Sequence, residues 1–392
     1  MTQVLKGMRI VEGSAFVAVP LAGMTLAQMG ADVIRFDRIG GGLDAGRWPG
    51  APSGQSLFWA GMNKGKRSVA VDMKSPEGKE LITRIITAPG DDAGMFLTNL
   101  RVRGWMDHET LSTYRRDLIM VTLMGDRHGR PQVDYTVNPA LGIPDMTGPE
   151  GYDGPVANAL PAWDLVAGNM VVSALLAAER HRLRTGEGQD VELSLKDVAA
   201  ATLGHLGMIG DAVVNEAPRQ KAGNALYGAY GQDFICADGK RVMVSGLTAR
   251  QWAGLVKVTQ TGPQMEALAA ASGQDLKDEG VRWVLRQQIT DILKPWFAMQ
   301  SSVRVAQQLD EAGVTWSQFR TVKEAVAEDI DLSTDNPMFE KLHQPGLGTF
   351  PVPSSPMQFS GYARKAPVKA PALGAHTEEV LGDVVGMTDT EI

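Results

Sequence analysis

The sequence contains a single cysteine, Cys236, among 392 residues. One cysteine excludes a disulfide framework, and no cysteine–histidine cluster has the spacing of a zinc site, so we expect a reducing cytoplasm and no metal. No run of 18 consecutive apolar residues occurs, and the stretch after Met1 lacks the apolar region of a signal peptide. We therefore expect a protein that is neither exported nor membrane-spanning.

An excess of positive charge is also missing. The chain has 38 basic and 45 acidic residues, a net charge of -7. Binding to a phosphate backbone needs a basic face, so no nucleic acid partner is expected, and any anionic ligand must be held by local cations. Gly40-Gly41-Gly42 follows a predicted strand, but neither G-x-G-x-x-G opening a helix nor G-x-x-x-x-G-K-[ST] occurs. We therefore reject NAD and ATP as ligands.

The order of apolar runs predicts an α/β fold. Residues 1–130 alternate short β-type runs with helical patterns, which predicts a parallel, Rossmann-like sheet with crossover helices. The predicted strands are 8–12, 31–37, 68–72, 93–98 and 118–123. We expect a large domain over 1–200, a linker over 201–225 and a smaller α+β domain over 226–330, where Asp238-Gly239 marks a hairpin.

One predicted helix carries a charge where an apolar residue would be expected. Residues 165–178 are apolar nearly all round, which is typical of a buried helix. Asp164 precedes them, directly after Pro161-Ala162-Trp163. Unpaired N–H groups and the helix dipole would hold this carboxylate ionised, which is its nucleophilic form. The alternative is that Asp164 merely caps the helix.

Basic residues flank the predicted strands. They are Arg35, Arg38, Lys64, Lys66, Arg67, Lys74, Arg101 and Arg103. Loops at the carboxyl ends of strands bind ligands in open α/β sheets, so these cations suit a polyanionic ligand. Solvated surface charge is the alternative interpretation.

Residues 126–163 are polar and rich in glycine and proline. A loop of this length is usually functional, so we predict a substrate cover. His128 and Asp153 are candidates for acid–base chemistry, although a histidine in a polar loop more often has no such role.

Several motifs together resemble the class III CoA-transferases, the family that includes formyl-CoA transferase and α-methylacyl-CoA racemase. The matching segments are Pro161-Ala162-Trp163-Asp164 with its apolar helix, residues 185–197, residues 35–42, Lys66-Arg67-Ser68, residues 72–79 and Asn99-Leu100-Arg101. The resemblance spans nearly the whole chain.

The resemblance implies an acyl-CoA as substrate, with coenzyme A as part of that substrate and no permanently bound cofactor. It implies that Asp164 is the catalytic nucleophile. The positions that match CoA contacts are Arg38, Val71, Lys74 and Asn99, with Arg101 and Arg35 as weaker additions. It also implies an interlocked homodimer, with each active site between the large domain of one subunit and the small domain of the other. Residues 331–392 would return to the large domain, with His376 in a structural role.

The position within the family rests on a few residues. Val17 replaces a glutamine of formyl-CoA transferase and no glycine run surrounds Gly223-Asn224-Ala225, so oxalate or formate is doubtful. Val133 replaces the histidine that precedes Asp134-Tyr135 in racemases, and proton transfer at Cα needs that base. Residues 142–155 and 160–165 look most like members that move CoA between the two carboxyls of one methyl-branched, unsaturated C4-type dicarboxylate. An intermolecular CoA-transferase, a racemase and a non-catalytic acyl-CoA binder stay open as alternatives.

Overall fold

The computed structural model describes residues 3–100 and 103–392. Arg101, a predicted CoA contact, lies outside the described residues. The chain divides into two compact units. The first holds the chain up to Leu141, Asn158–Ala217 and Asp329–Ile392, and the second holds Gly142–Ala157 and Pro218–Glu328.

The strands and helices alternate through the first unit, as the apolar runs predicted. The strands are β1 Arg9–Gly13, β2 Asp32–Arg38, β3 Arg67–Val71, β4 Met95–Thr98, β5 Ile119–Met124, β6 Gln189–Ser194, β7 Gly231–Ile235, β8 Arg241–Ser245, β9 Thr315–Gln318, β10 Phe339–Gln344 and β11 Gly348–Pro353. The helices are α1 Ala18–Gln28, α2 Leu57–Met62, α3 Pro76–Thr87, α4 His108–Leu111, α5 Asp134–Ala140, α6 Ile143–Met146, α7 Ala162–Thr185, α8 Leu195–His205, α9 Met208–Val214, α10 Ala249–Thr259, α11 Gly262–Ser272, α12 Glu279–Val284, α13 Arg286–Ala298, α14 Ser302–Glu311, α15 Val322–Glu328 and α16 Thr377–Asp383.

The core of the first unit is a six-stranded sheet in the order β3-β2-β1-β4-β5-β6. All five neighbouring pairs are parallel. Ile10, Val33 and Val121 are fully buried, which is typical of strands covered by helices on both faces. The predicted α/β fold with a Rossmann-like parallel sheet is confirmed.

Local sequence features determine where one of the covering helices begins and how closely another packs. Helix α3 begins after Ser75, whose hydroxyl accepts from the Gly78 N–H, and its Ile82 and Ile85 side chains are buried against the sheet. Helix α7 packs on α1 at Gly168, where an added Cβ would lie 2.7 Å from the Ala18 carbonyl oxygen. Only glycine permits this close approach of the two backbones.

The carboxyl-terminal residues complete the open edge of the sheet. The His376 N–H donates to the Ser68 carbonyl, and His376 Nδ1 accepts from the Ser68 N–H at 3.1 Å. Val380 and Leu381 of α16 join the buried cluster that contains Ile82. This segment therefore covers edge strand β3, and His376 has the structural role that the resemblance implied.

The second unit is built on the predicted hairpin. Strands β7 and β8 pair antiparallel, and β9 adds to β8. Its helices pack around Phe234 and Phe297, whose rings stack with centroids 4.0 Å apart. The hairpin prediction is confirmed.

The chain between 126 and 163 differs from the predicted single loop. It contains α5 and α6, and residues 142–157 belong to the second unit. Backbone and side-chain bonds explain this membership, because the Gly223 N–H donates to the Gly148 carbonyl and Lys221 Nζ donates to the Thr147 carbonyl.

The composition of helix α7 predicted a helix buried on all sides, and the structure differs. Ala167, Val171 and Leu175 are fully buried, whereas Met170 and Leu183 are 41% and 71% exposed. By length and composition this helix could cross a membrane, as could the bent pair of α8 and α9. A core helix of a folded protein has the same properties, and the fully buried face of α7 fits that explanation.

Candidate active site

Asp164 is the third residue of α7, and Pro161 occupies the N-cap position. Its carboxylate accepts no hydrogen bond from any residue in the described ranges. The alternative that Asp164 only caps the helix is therefore wrong. A partly buried carboxylate without a structural partner is available to react.

The helix is capped by another aspartate. Asp134 Oδ2 accepts from the Trp163 N–H at 2.7 Å and from the Asp164 N–H at 3.3 Å. The Trp163 indole N–H also donates to Asn138 Oδ1 at 3.0 Å. Helix α5 thus fixes the first turn of α7 through two side chains and holds the Asp164 backbone in place.

The surroundings of Asp164 make its carboxyl group more basic than usual. Burial and, to a smaller extent, the Asp134 charge raise the pKa of Asp164 to about 6, and the Arg47 charge opposes both. The expectation that the helix terminus strongly favours the ionised form of Asp164 is therefore wrong. The Trp163 and Asp164 N–H groups donate to Asp134 instead, so they stabilise the ionised form of Asp134 and not that of Asp164. Asp164 remains mostly ionised at neutral pH, and its higher basicity favours nucleophilic attack.

The turn between β1 and α1 lies next to this helix terminus, since α7 touches Ala18 one turn further on. Phe16 adopts φ 68°, a left-handed conformation that a bulky residue rarely takes. The Phe16 N–H donates to Asp44 Oδ1, and the Asn99 amide both accepts from the Ala15 N–H and donates to the Ala15 carbonyl. These contacts maintain a strained turn of the kind found at functional sites.

Arg47 follows the glycine-rich turn after β2. Its guanidinium lies over the rings of Phe16 and Phe58, at 5.2 and 5.1 Å from the ring centroids. Within residues 3–100 and 103–392, the guanidinium has no ion pair and no hydrogen bond. Sequence reasoning missed both Arg47 and the role of Asp134. Arg47 is near the glycines that the sequence analysis considered, but its aromatic partner Phe16 is 31 positions away, and no local pattern links the two.

Four predicted CoA contacts lie at one edge of the sheet. Arg38 ends β2 directly beside Val71, the last residue of β3, and Asn99 follows β4. Arg38 is exposed and its Nε donates to the Gly41 carbonyl, while Lys74 is exposed on the turn after β3. This is the carboxyl edge at which open α/β sheets bind ligands. The roles of these residues in CoA binding stay predictions.

Three other cations do not form part of this edge. Arg35 is buried and paired with Asp37 and Asp44, so its weaker assignment to CoA is wrong. Lys66 Nζ is buried at 2.8 Å from Glu12 Oε2, and Arg67 at the start of β3 pairs with Asp32. Nearby carboxylates neutralise these side chains, because burying an unpaired charge costs free energy.

The two acid–base candidates in 126–163 lie in different units. His128 is exposed in the first unit, and its backbone N–H donates to Asp126 Oδ1. Asp153 belongs to the second unit. Their roles stay predictions.

The sheet, its cationic edge and the unpartnered Asp164 together form the arrangement expected for a transferase of acyl-CoA. The family model for CoA-transferase family III matches residues 5–377, and the chain belongs to this family. It is 52% identical over 393 aligned residues to the 2-methylfumaryl-CoA isomerase of Chloroflexus aurantiacus, covering 100% of this chain and 96% of that protein. It is 25% identical to the succinyl-CoA:glutarate CoA-transferase of Homo sapiens, covering 99% of this chain and 87% of that protein.

A solved structure has the same fold. The CAIB/BAIF family protein from Brucella suis superimposes with a TM-score of 0.78 at 24% identity, covering 98% of this chain and 100% of that one. This structure supports the fold, while the family model and the Chloroflexus aurantiacus relative confirm the predicted family and the similarity to a 2-methylfumaryl-CoA isomerase.

Proposed function

We propose that this protein moves CoA between the two carboxyl groups of a single molecule, converting the C1 thioester of 2-methylfumarate (mesaconate) into its C4 thioester. The full-length identity of 52% to the Chloroflexus aurantiacus 2-methylfumaryl-CoA isomerase carries this proposal. The unpartnered carboxylate of Asp164 supports it, because covalent transfer needs a free nucleophile.

The proposed reaction uses Asp164 twice. Its carboxylate attacks the C1 thioester carbonyl and expels CoA thiolate, which gives a mixed anhydride. The thiolate then attacks the aspartyl carbonyl and releases the C1 carboxylate, which leaves CoA bound to Asp164 as a thioester. The C4 carboxylate next attacks this thioester and again expels the thiolate. Attack of the thiolate on the C4 carbonyl of the second anhydride yields the product and restores Asp164.

The proposed function also includes CoA-binding residues and a homodimeric assembly. Arg38 and Lys74 are assigned to the anionic part of CoA, with backbone and side-chain contacts from Val71, Asn99 and Arg101. The protein works as a homodimer in the cytoplasm and takes a small acyl-CoA as its substrate, without a permanently bound cofactor. The exposed positions of Arg38 and Lys74 at the carboxyl edge of the sheet support the CoA assignment.

The second candidate is an intermolecular CoA-transferase that passes CoA from one acid to another. The human relative, whose name describes such a transfer, favours it. Racemisation is less supported, since Val133 provides no base before Asp134. A non-catalytic binder would have no need for the free Asp164 carboxylate.

The proposal is tested by incubating the purified protein with mesaconyl-C1-CoA and separating the thioester products. We expect mesaconyl-C4-CoA to form without any added acid. Asp164→Ala should still bind CoA but lose activity by at least about 1000-fold, because the covalent route disappears. C4 thioester formation at most of the normal rate by Asp164→Ala would contradict the role of this residue.

A further inference from the structure

Arg47 is a half-buried cation that has no ion pair within residues 3–100 and 103–392. Its guanidinium lies over Phe16 and Phe58, and contact with the two ring faces orients its plane while its N–H edges stay free. The platform is itself rigid, because the Phe16 N–H is bound by Asp44 and the same Asp44 pairs with buried Arg35. No carboxylate in the described part of the chain pairs with Arg47.

The charges that act on Asp164 are unbalanced. Asp134 adds a second negative charge. Arg47 lies over Phe16, in the turn that leads into the α1 residue Ala18 packed on α7, and among the described residues its charge opposes the rise of the pKa of Asp164. A dicarboxylate thioester brings a third carboxylate into this partly buried region. Its free end would be repelled unless a cation received it.

We propose that the Arg47 guanidinium binds the free carboxylate of the substrate and thereby selects dicarboxylate thioesters over monocarboxylate ones. This inference rests on the proposed function and names the part of the same site that holds the end of the substrate not undergoing reaction. A planar guanidinium matches a carboxylate through two parallel hydrogen bonds, and a ring-stacked guanidinium loses little freedom when it binds.

The same subsite serves both halves of an isomerisation. The C4 carboxylate occupies Arg47 while C1 reacts at Asp164, and the C1 carboxylate occupies it while C4 reacts. The double bond of the C4-type acid keeps the two carboxyl groups at a fixed separation. The subsite requires a distance between the Arg47 guanidinium and the Asp164 carboxyl that matches this separation, so that either end of the substrate can be held in turn.

The test measures binding to the Asp164→Asn protein, which cannot form the anhydride. The two ligands are mesaconyl-C1-CoA and (E)-2-methylbut-2-enoyl-CoA, in which a methyl group replaces the free carboxylate, and free CoA serves as the reference. We expect the dicarboxylate thioester to bind about 10- to 100-fold more tightly than the methyl analogue, as a charge-assisted pair predicts. Adding Arg47→Gln should abolish this preference, and Arg47→Lys should retain part of it.

Two controls make the outcome decisive. Arg116 is exposed, and Arg116→Gln in the same background should leave the preference intact. Dissociation constants for free CoA should be the same with and without Arg47→Gln. A preference that survives Arg47→Gln would overturn the inference, as would an equal weakening of all three ligands. Failure of the native protein to make the C4 thioester would count against the proposed function alone, because these binding constants do not depend on turnover.

Discussion

At the scale of single residues, Asp164 and Asp134 form a pair in which, in the proposed reaction, one carboxylate attacks the substrate and the other positions it. Asp134 accepts the N–H groups of Trp163 and Asp164, so the nucleophile is left without a partner at a helix terminus that is already capped. Burial and the Asp134 charge then keep the pKa of Asp164 well above its usual value of 3.8. Both residues are aspartates, so their different roles come from their different surroundings in the fold.

This pair predicts the pH dependence of the reaction. Asp164 has a pKa of about 6, so its nucleophilic form is lost as the pH falls through that value, and kcat/KM should decrease about tenfold per pH unit below it. Asp134→Asn keeps an oxygen to accept the Trp163 N–H but removes the negative charge, so the decline should move to lower pH. The measurement is kcat/KM for mesaconyl-C1-CoA from about pH 4.5 to about pH 8, a range that extends roughly one to two pH units on each side of the Asp164 pKa.

The control for this profile is Asp117→Asn. Asp117 precedes β5, at the amino ends of the strands and away from the carboxyl edge, and pairs with Arg115 and Arg182. Its replacement should leave the acid limb where it is in the native protein. An acid limb that stays unchanged in Asp134→Asn would show that Asp134 does not control the protonation of Asp164.

A second prediction at this scale concerns Arg38 and Lys74. Both are exposed at the carboxyl edge of the sheet, where they are assigned to the anionic part of CoA. Replacing either with alanine should raise KM about 10-fold and change kcat much less, because a charge-assisted contact to phosphate is present in both ground and transition states. Unchanged KM values in both variants would remove these residues from the site.

At the scale of elements, the close contact between α1 and α7 positions the nucleophile. An added Cβ at Gly168 would meet the Ala18 carbonyl oxygen at 2.7 Å, and backbone cannot move aside as a side chain can. Gly168→Ala should therefore lower the free energy of unfolding by about 1–3 kcal/mol, as overpacking does, and should also reduce kcat by displacing the first turn of α7. Chemical denaturation together with kinetics measures both effects.

Gly204 in α8 offers the matched comparison. Its added Cβ would make only an ordinary contact of 3.7 Å with Ile209 Cδ1. Gly204→Ala should therefore be neutral or stabilise the protein by up to about 1 kcal/mol, since alanine favours a helix over glycine. If Gly168→Ala were as stable and active as Gly204→Ala, the close packing of α1 and α7 would not position Asp164.

The elements also show what the sequence could and could not predict. Strands β4 and β5 are largely apolar runs, and Ser75-Pro76 marks the start of α3 by local chemistry. Arg47 on Phe16, and Asp134 at the start of α7, depend on residues about 30 positions apart meeting in three dimensions. Periodicity carries no signal for such contacts. The exposed side of α7 was missed because the helix is apolar on that side too.

At the scale of the whole molecule, the order of apolar runs predicted the α/β fold, whereas the composition of 126–163 did not predict the structure of that segment. The segment divides between the two units, and α5 within it caps α7. The glycine and proline content suggested a loop. Composition carries no information about hydrogen-bond partners that are distant in the chain, so the prediction failed. Residues 142–157 join the second unit through the bonds of Lys221 and Gly223, which no local pattern indicates.

The central claim is that CoA moves within one molecule of substrate. An intramolecular transfer requires that the released carboxylate stays bound while the enzyme thioester exists, and exclusion of water and free acids protects that intermediate. The direct measurement is turnover of mesaconyl-C1-CoA in the presence of excess isotopically labelled free mesaconate. The account predicts that unlabelled C4 thioester forms at the full rate, while label in the C4 thioester in proportion to the free pool would contradict it.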